Sequence, residues 1–96
     1  MRVLLNIDFD TEKSNEVIRA GRMGETLQRI LADLKPEAAY TYPLNGRRGM
    51  TIVVDAPDGA TLPSLAEPFW LEFNAQVEAL PCMNGDELAE GLGRLG

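Results

Sequence analysis

Ala38-Ala39-Tyr40-Thr41-Tyr42-Pro43-Leu44-Asn45-Gly46-Arg47-Arg48-Gly49-Met50-Thr51-Ile52-Val53-Val54-Asp55-Ala56 occupies the middle of a 96-residue chain, and its reading decides the fold. Ala38 to Leu44 and Gly49 to Ala56 are rich in β-branched and aromatic residues and read as two strands. Asn45-Gly46-Arg47-Arg48-Gly49 between them reads as a glycine-bearing hairpin loop. Pro43 has no N–H to give to a ladder, so the strand 38–44 belongs at a sheet edge.

Upstream of the hairpin, Pro36 ends a segment with helical apolar spacing that runs from about residue 14 to 34, with Ser14 or Thr11 as the expected N-cap. Its inward stripe is Val17, Ala20, Gly24, Leu27, Leu31 and Leu34, widened by Ile30. Gly21 and Gly24 each cost about 1 kcal/mol of helix propensity against alanine, and a close helix-to-sheet approach would explain at least one of them. Before the helix, Val3, Leu5, Ile7 and Phe9 alternate with Leu4, Asn6 and Asp8, the period of a strand over residues 2–9 with one apolar and one mixed face.

Downstream, Ala56-Pro57-Asp58-Gly59 is a turn, and Thr61 is placed to cap a helix reaching Phe73. Leu62, Leu65, Phe69 and either Leu71 or Phe73 supply its apolar contacts, and Pro68 is expected to kink or split it. Ala75 to Leu80 reads as a last strand closed by Pro81. Asp86 to Leu95 reads as a short helix with Leu88, Leu92 and Leu95 inward.

Strand, helix, strand, strand, helix, strand is the ferredoxin-like βαββαβ order, an α+β fold in one domain spanning residues 1–96. Two helices lie on one face of a four-stranded antiparallel sheet, with a short C-terminal helix added. The other face has no cover within the chain. With Leu4 and one or both tyrosines on it, and Val53 as a further candidate, that face is too apolar for water, and packing two sheets together in a homodimer would bury it. A chain of this size buries only about 60 to 65% of its unfolded surface, so a partner subunit would also add stability.

Composition narrows the function classes. The net charge is −6 and the nine basic residues are scattered apart from Arg47-Arg48, which opposes nucleic-acid binding. No apolar run approaches the roughly 20 residues of a membrane-spanning helix, and Asn6, Asp8 and Asp10 interrupt Met1 to Leu5 too soon for a signal peptide. Cys82 is the single cysteine, so no intrachain disulfide forms, and a cytoplasmic location is expected. Glycine-rich phosphate motifs fail, because Gly46-Arg47-Arg48-Gly49 lies in a hairpin and not between a strand and a helix.

The element order resembles the dimeric α/β-barrel superfamily. The stretch Ala66-Glu67-Pro68-Phe69-Trp70 through Asn74-Ala75-Gln76-Val77-Glu78, with Pro81-Cys82-Met83-Asn84-Gly85-Asp86-Glu87-Leu88, is similar to small bacterial proteins of that group. The resemblance implies a fold and a dimer more than a reaction, since the superfamily includes cofactor-independent monooxygenases, muconolactone isomerases, haem-degrading or chlorite-converting enzymes and ligand-binding regulatory modules. The chain has no histidine, so histidine-ligated haem and histidine acid/base chemistry are excluded.

Candidate site residues begin with those on the uncovered face and extend to the hairpin loop and the second helix. Asn6 and Asp8 form a polar pair that would bind or polarise a small ligand inside a barrel, or simply satisfy hydrogen bonds there. Tyr40 and Tyr42 share a strand face and supply hydroxyls as donors or anchored aromatic packing. Arg47 and Arg48 either clamp an anion or form a solvated tip. Glu67, Trp70 and Asn74 share a helical face, where Trp70 floors a pocket or covers the core edge. Glu78 would make a two-carboxylate site if it met Asp8 or Asp55. No metal or cofactor is expected. The function expected is a structural or small-ligand-binding module, with a cofactor-independent isomerase or monooxygenase-like enzyme as the alternative.

Overall fold

The computed structural model describes residues 1–96 and contains four strands and four α-helices. In chain order these are β1 (Arg2–Asp8), α1 (Thr11–Arg19), α2 (Met23–Leu34), β2 (Ala38–Leu44), β3 (Arg47–Asp55), α3 (Leu62–Phe73), β4 (Gln76–Pro81) and α4 (Gly85–Gly93). The strands form one antiparallel sheet in the order β2-β3-β1-β4. The connection from β1 to β2 passes over β3, and the connection from β3 to β4 passes over β1. This is the ferredoxin-like arrangement, with Pro43 on an edge strand as expected.

The hairpin is tighter than the sequence suggests. Only Asn45 and Gly46 lie between β2 and β3, at φ +52° and +79°. Two consecutive left-handed residues give the turn whose twist matches that of the flanking strands, and Asn-Gly is the pair that tolerates it best. Arg47, Arg48 and Gly49 therefore belong to β3. Arg47 faces Leu44 and Gly49 faces Tyr42 in the ladder.

The long helix expected over residues 14–34 is two helices. Neither Ser14 nor Thr11 is its N-cap: the Asp10 carboxylate accepts the Lys13 N–H at 2.8 Å and starts the helix one turn earlier. Gly21 at φ +70° then stops α1 and turns the chain into α2. The break rotates the helical phase, so Ala20 and Gly24 are exposed, while Val17, Thr26 and Ile30 are buried. A Cβ at Gly24 would meet nothing within 4 Å, so no close approach to the sheet explains that glycine.

Pro68 does not split α3, which runs unbroken to Asn74 in the left-handed conformation. Thr61 does not cap it through its side chain; both its N–H and its hydroxyl donate to Asp58. Phe73, not Leu71, is the inward residue, with Leu71 left 71% exposed.

Val3, Leu5 and Ile7 of β1 and Met50, Ile52 and Val54 of β3 form the floor of the core. Val17, Ile30, Leu65, Phe69 and Phe73 form its roof. Burying each such side chain contributes about 1.5 to 3 kcal/mol. Phe9 meets Phe73 edge to face, with centroids 4.9 Å apart.

The C-terminal helix departs most from expectation. Leu88, Leu92 and Leu95, read as inward, are 47%, 56% and 83% exposed. No residue of α4 is buried, and Glu87 contacts the body through Arg2. Its start is well made nonetheless, because Asn84 and Glu87 form a reciprocal capping box. The long axis measures 55 Å, against 27 Å and 17 Å for the others, and the radius of gyration is 15.2 Å. A compact domain of this length has about 12.5 Å.

Candidate functional site

Even-numbered residues of β1 point away from the helices, and the ladder register extends that face across all four strands. Ala38, Val53, Leu4 and Leu80 line up as an apolar row. Beside it runs a polar row of Tyr40, Thr51, Asn6 and Glu78, and then Tyr42, Gly49, Asp8 and Gln76. Leu4 and Val53 are half-buried and Leu80 is 44% exposed, with no element of the chain above them.

A directed chain of hydrogen bonds crosses this face. Asn6 Nδ2 donates to Glu78 Oε1 at 3.1 Å, and Thr51 Oγ1 donates to Asn6 Oδ1 at 2.9 Å. Having given its proton to Asn6, Thr51 accepts from the Tyr42 hydroxyl at 2.5 Å. The chain therefore runs from Tyr42 through Thr51 and Asn6 to a carboxylate, one residue from each strand. Such a file fixes four side chains together and also fixes the orientation of the Asn6 amide.

Asn6 and Tyr42 are thus brought into one network. Asp8 lies on the same face but takes a separate partner, Arg47 Nη2 at 3.0 Å. Tyr40 is on this face and 72% exposed, with no side-chain hydrogen bond. Trp70 is elsewhere. It lies on α3, on the helix side of the sheet, 43% exposed, so it does not share a site with Asn6 and Asp8.

Glu78 meets neither Asp8 nor Asp55. It faces Asn6, while Asp8 faces Gln76 and Asp55 faces Arg2 at the other end of the ladder. Asp55 accepts from the amino group of Met1 at 3.3 Å. No cluster of three or more metal-ligating side chains is present. Arg2 binds both Glu37 and Glu87, and the Glu37 hydrogen bond raises the pKa of a guanidinium that is charged at every working pH.

The arginine pair divides. Arg47 neutralises Asp8 and reaches the Phe9 carbonyl at 3.5 Å. Arg48 Nη1 donates to Ser14 Oγ and to Asn15 Oδ1, both at 2.8 Å, and has no carboxylate within 4.0 Å. Thr51 is the site residue that sequence reading passed over. Its signal was available, since it is two residues from Val53 on the same strand and so shares the uncovered face.

No family model matches the chain, and no curated protein matches it. Among solved structures it is similar to a formyltetrahydrofolate deformylase from Pseudomonas putida KT2440, with 13% identity and a TM-score of 0.47. That likeness covers 84% of this chain and 28% of the deformylase chain, so the chain spans under a third of its length.

Proposed function

We propose that the chain acts as a homodimeric binding module, in which two uncovered sheet faces pack about a twofold axis and enclose a site for a small organic molecule. Asn6, Asp8, Tyr40 and Tyr42 would line that interior. The observation that carries the proposal is an apolar row, Ala38, Val53, Leu4 and Leu80, lying uncovered beside an ordered polar file. The apolar row favours removal from water. The file supplies hydrogen-bonding groups already held in place, as small-molecule sites require.

Area bears on what the interface includes. Four strands about 4.8 Å apart, each of about seven residues at about 3.3 Å, give a flat footprint of about 440 Å² per copy. A standard interface takes about 800 Å² of accessible surface from each partner. Side-chain relief raises the first figure, and the exposed Leu88 and Leu92 on α4, with Leu95 just beyond its end, are the apolar surface available to supply the remainder. In a twofold dimer each α4 would lie against the other copy.

Light scattering on a size-exclusion column is the test. The chain mass is 10.5 kDa, so a dimer elutes at 2 × 10.5 = 21 kDa. Leu88→Ser with Leu92→Ser in the full chain should shift the equilibrium toward monomer, with the circular dichroism of the body unchanged. A wild-type monomer at micromolar concentration overturns the proposal.

A further inference from the structure

A groove of about 570 Å³ opens between the α1–α2 break and the β2–β3 hairpin, with its apolar wall on the helix side of the sheet and its rim reaching Tyr42 and Gly49 at the hairpin end of the uncovered face. We propose that it binds a small organic carboxylate, with the carboxylate on Arg48 and the apolar body on Ile18, Met23 and Leu27. The volume falls within the range of about 300 to 1,000 Å³ typical of small-molecule sites. The inference does not rest on the dimer, because Arg48, Ile18, Met23 and Leu27 all lie off the uncovered face.

Charge is the first support. The chain carries 15 acidic and 9 basic residues, yet the groove is lined by Arg47 and Arg48 and by no carboxylate. Asp8 neutralises Arg47 from outside the groove, whereas Arg48 keeps its full charge among neutral partners. Its local field is therefore opposite in sign to that of the whole protein, and within a Debye length of about 8 to 10 Å the local charge dominates.

Geometry is the second. A guanidinium has five N–H donors, and both of the Nη1 donors are committed, one to Ser14 and one to Asn15. The Nε and Nη2 edge remains, and that edge matches the two oxygens of a carboxylate. Ser14 is fully buried and itself donates to the Thr11 carbonyl at 3.2 Å, so the arginine is held from a rigid point on α1. Ordering of the long side chain is then largely complete before a ligand arrives.

Apolar lining is the third. Ile18 is 42% exposed although it lies on a helix beside the core, and Met23 and Leu27 are only partly covered. The Gly21 break separates Ile18 from Met23 and Leu27 and leaves their side chains facing one groove. A lone arginine fastening a hairpin to a helix needs no such lining.

Octanoate and 1-octanol are the probes, because they share an apolar chain and differ in the charged head. Titration of the ¹⁵N-labelled full chain at fixed ionic strength should move amides of Ile18, Met23, Leu27 and Arg48, with octanoate binding about 10-fold or more tightly than octanol. A charge-assisted hydrogen bond gives that ratio. Arg48→Gln should remove the preference and leave octanol binding unchanged, while Arg29→Gln, outside the groove lining and paired with Glu72, should leave the preference in place. Equal affinity for the two probes overturns the proposal, as do shifts confined to other residues, or an octanoate preference that survives Arg48→Gln. The comparison of probes on wild-type protein decides the matter even if the Arg48 variant fails to fold.

Discussion

Gly49→Ala is the substitution for which the structure makes the sharpest demand. Gly49 lies in β3 opposite Tyr42 on one side and Asp8 on the other, at an ordinary backbone conformation. A Cβ built there would stand 2.6 Å from Leu44 Cβ, 3.3 Å from Leu44 Cδ2 and 3.3 Å from the Tyr42 carbonyl oxygen. The first contact decides the outcome, because Leu44 Cβ is bonded to the backbone and cannot swing aside as a side-chain tip can. Relief requires β2 to move at the hairpin. Overpacking of this kind costs about 1 to 3 kcal/mol, and β-propensity returns less than about 1 kcal/mol for alanine over glycine. A net loss of about 1.5 kcal/mol should lower the melting temperature by about 6 to 12 °C in a domain of this size. Gly24→Ala is the internal control, since its Cβ meets nothing and its φ is not positive; it should gain about 0.5 kcal/mol. Thermal melts at matched protein concentration separate the two signs. A Gly49→Ala melting temperature within 1 °C of wild type would refute the steric reasoning.

Three further substitutions probe other parts of the structure. Thr51→Val keeps the shape of the side chain and cuts the file between Tyr42 and Asn6, and should cost about 1 kcal/mol in urea unfolding; an unchanged midpoint would mean that the file is not formed in solution. Asp10→Ala removes the N-cap of α1 and should cost about 1 kcal/mol, seen as a lower urea midpoint at constant slope. Phe69→Ala empties a fully buried position in the core and should cost about 3 to 5 kcal/mol, seen as a urea midpoint far below that of wild type; a midpoint close to wild type would mean that Phe69 is not packed as described.

Period carried most of the fold into the sequence. Val3, Leu5, Ile7 and Phe9 announce β1 and its buried face, and all four are buried. The same alternation put Asn6 and Asp8 on the far side, where they lie. Local backbone chemistry was harder to read. A glycine inside a helical pattern can lower propensity, allow close packing or take a left-handed conformation, and only the third applies to Gly21. Reading one helix in place of two displaced the phase and assigned Ala20 and Gly24 to the core. The C-terminal leucines illustrate a different limit. Their spacing correctly gives an amphipathic helix, but spacing does not say what the apolar face touches, and within the chain that face is left unburied. The pairing of Thr51 with Asn6 needed the register of β1 against β3, which hydrophobic pattern alone leaves open.

Arg47 stands on the border between the two candidate regions. Its guanidinium closes on Asp8 at the edge of the uncovered sheet face, reaches the Phe9 carbonyl, and also lines the groove that holds Arg48. Asp8 therefore sets how much positive charge the groove presents, although it lies outside the groove. Asp8→Asn preserves the side-chain shape and leaves Arg47 without a neutralising partner. A unit charge acting through water over about 8 Å is worth about 0.5 kcal/mol, so octanoate should bind about 2-fold more tightly while octanol is unaffected. The gain should fade with added salt, because the charge responsible is half exposed. If Asp8→Asn instead leaves octanoate unchanged but alters the dimer mass, Asp8 acts on the sheet face alone and the two regions are electrostatically separate.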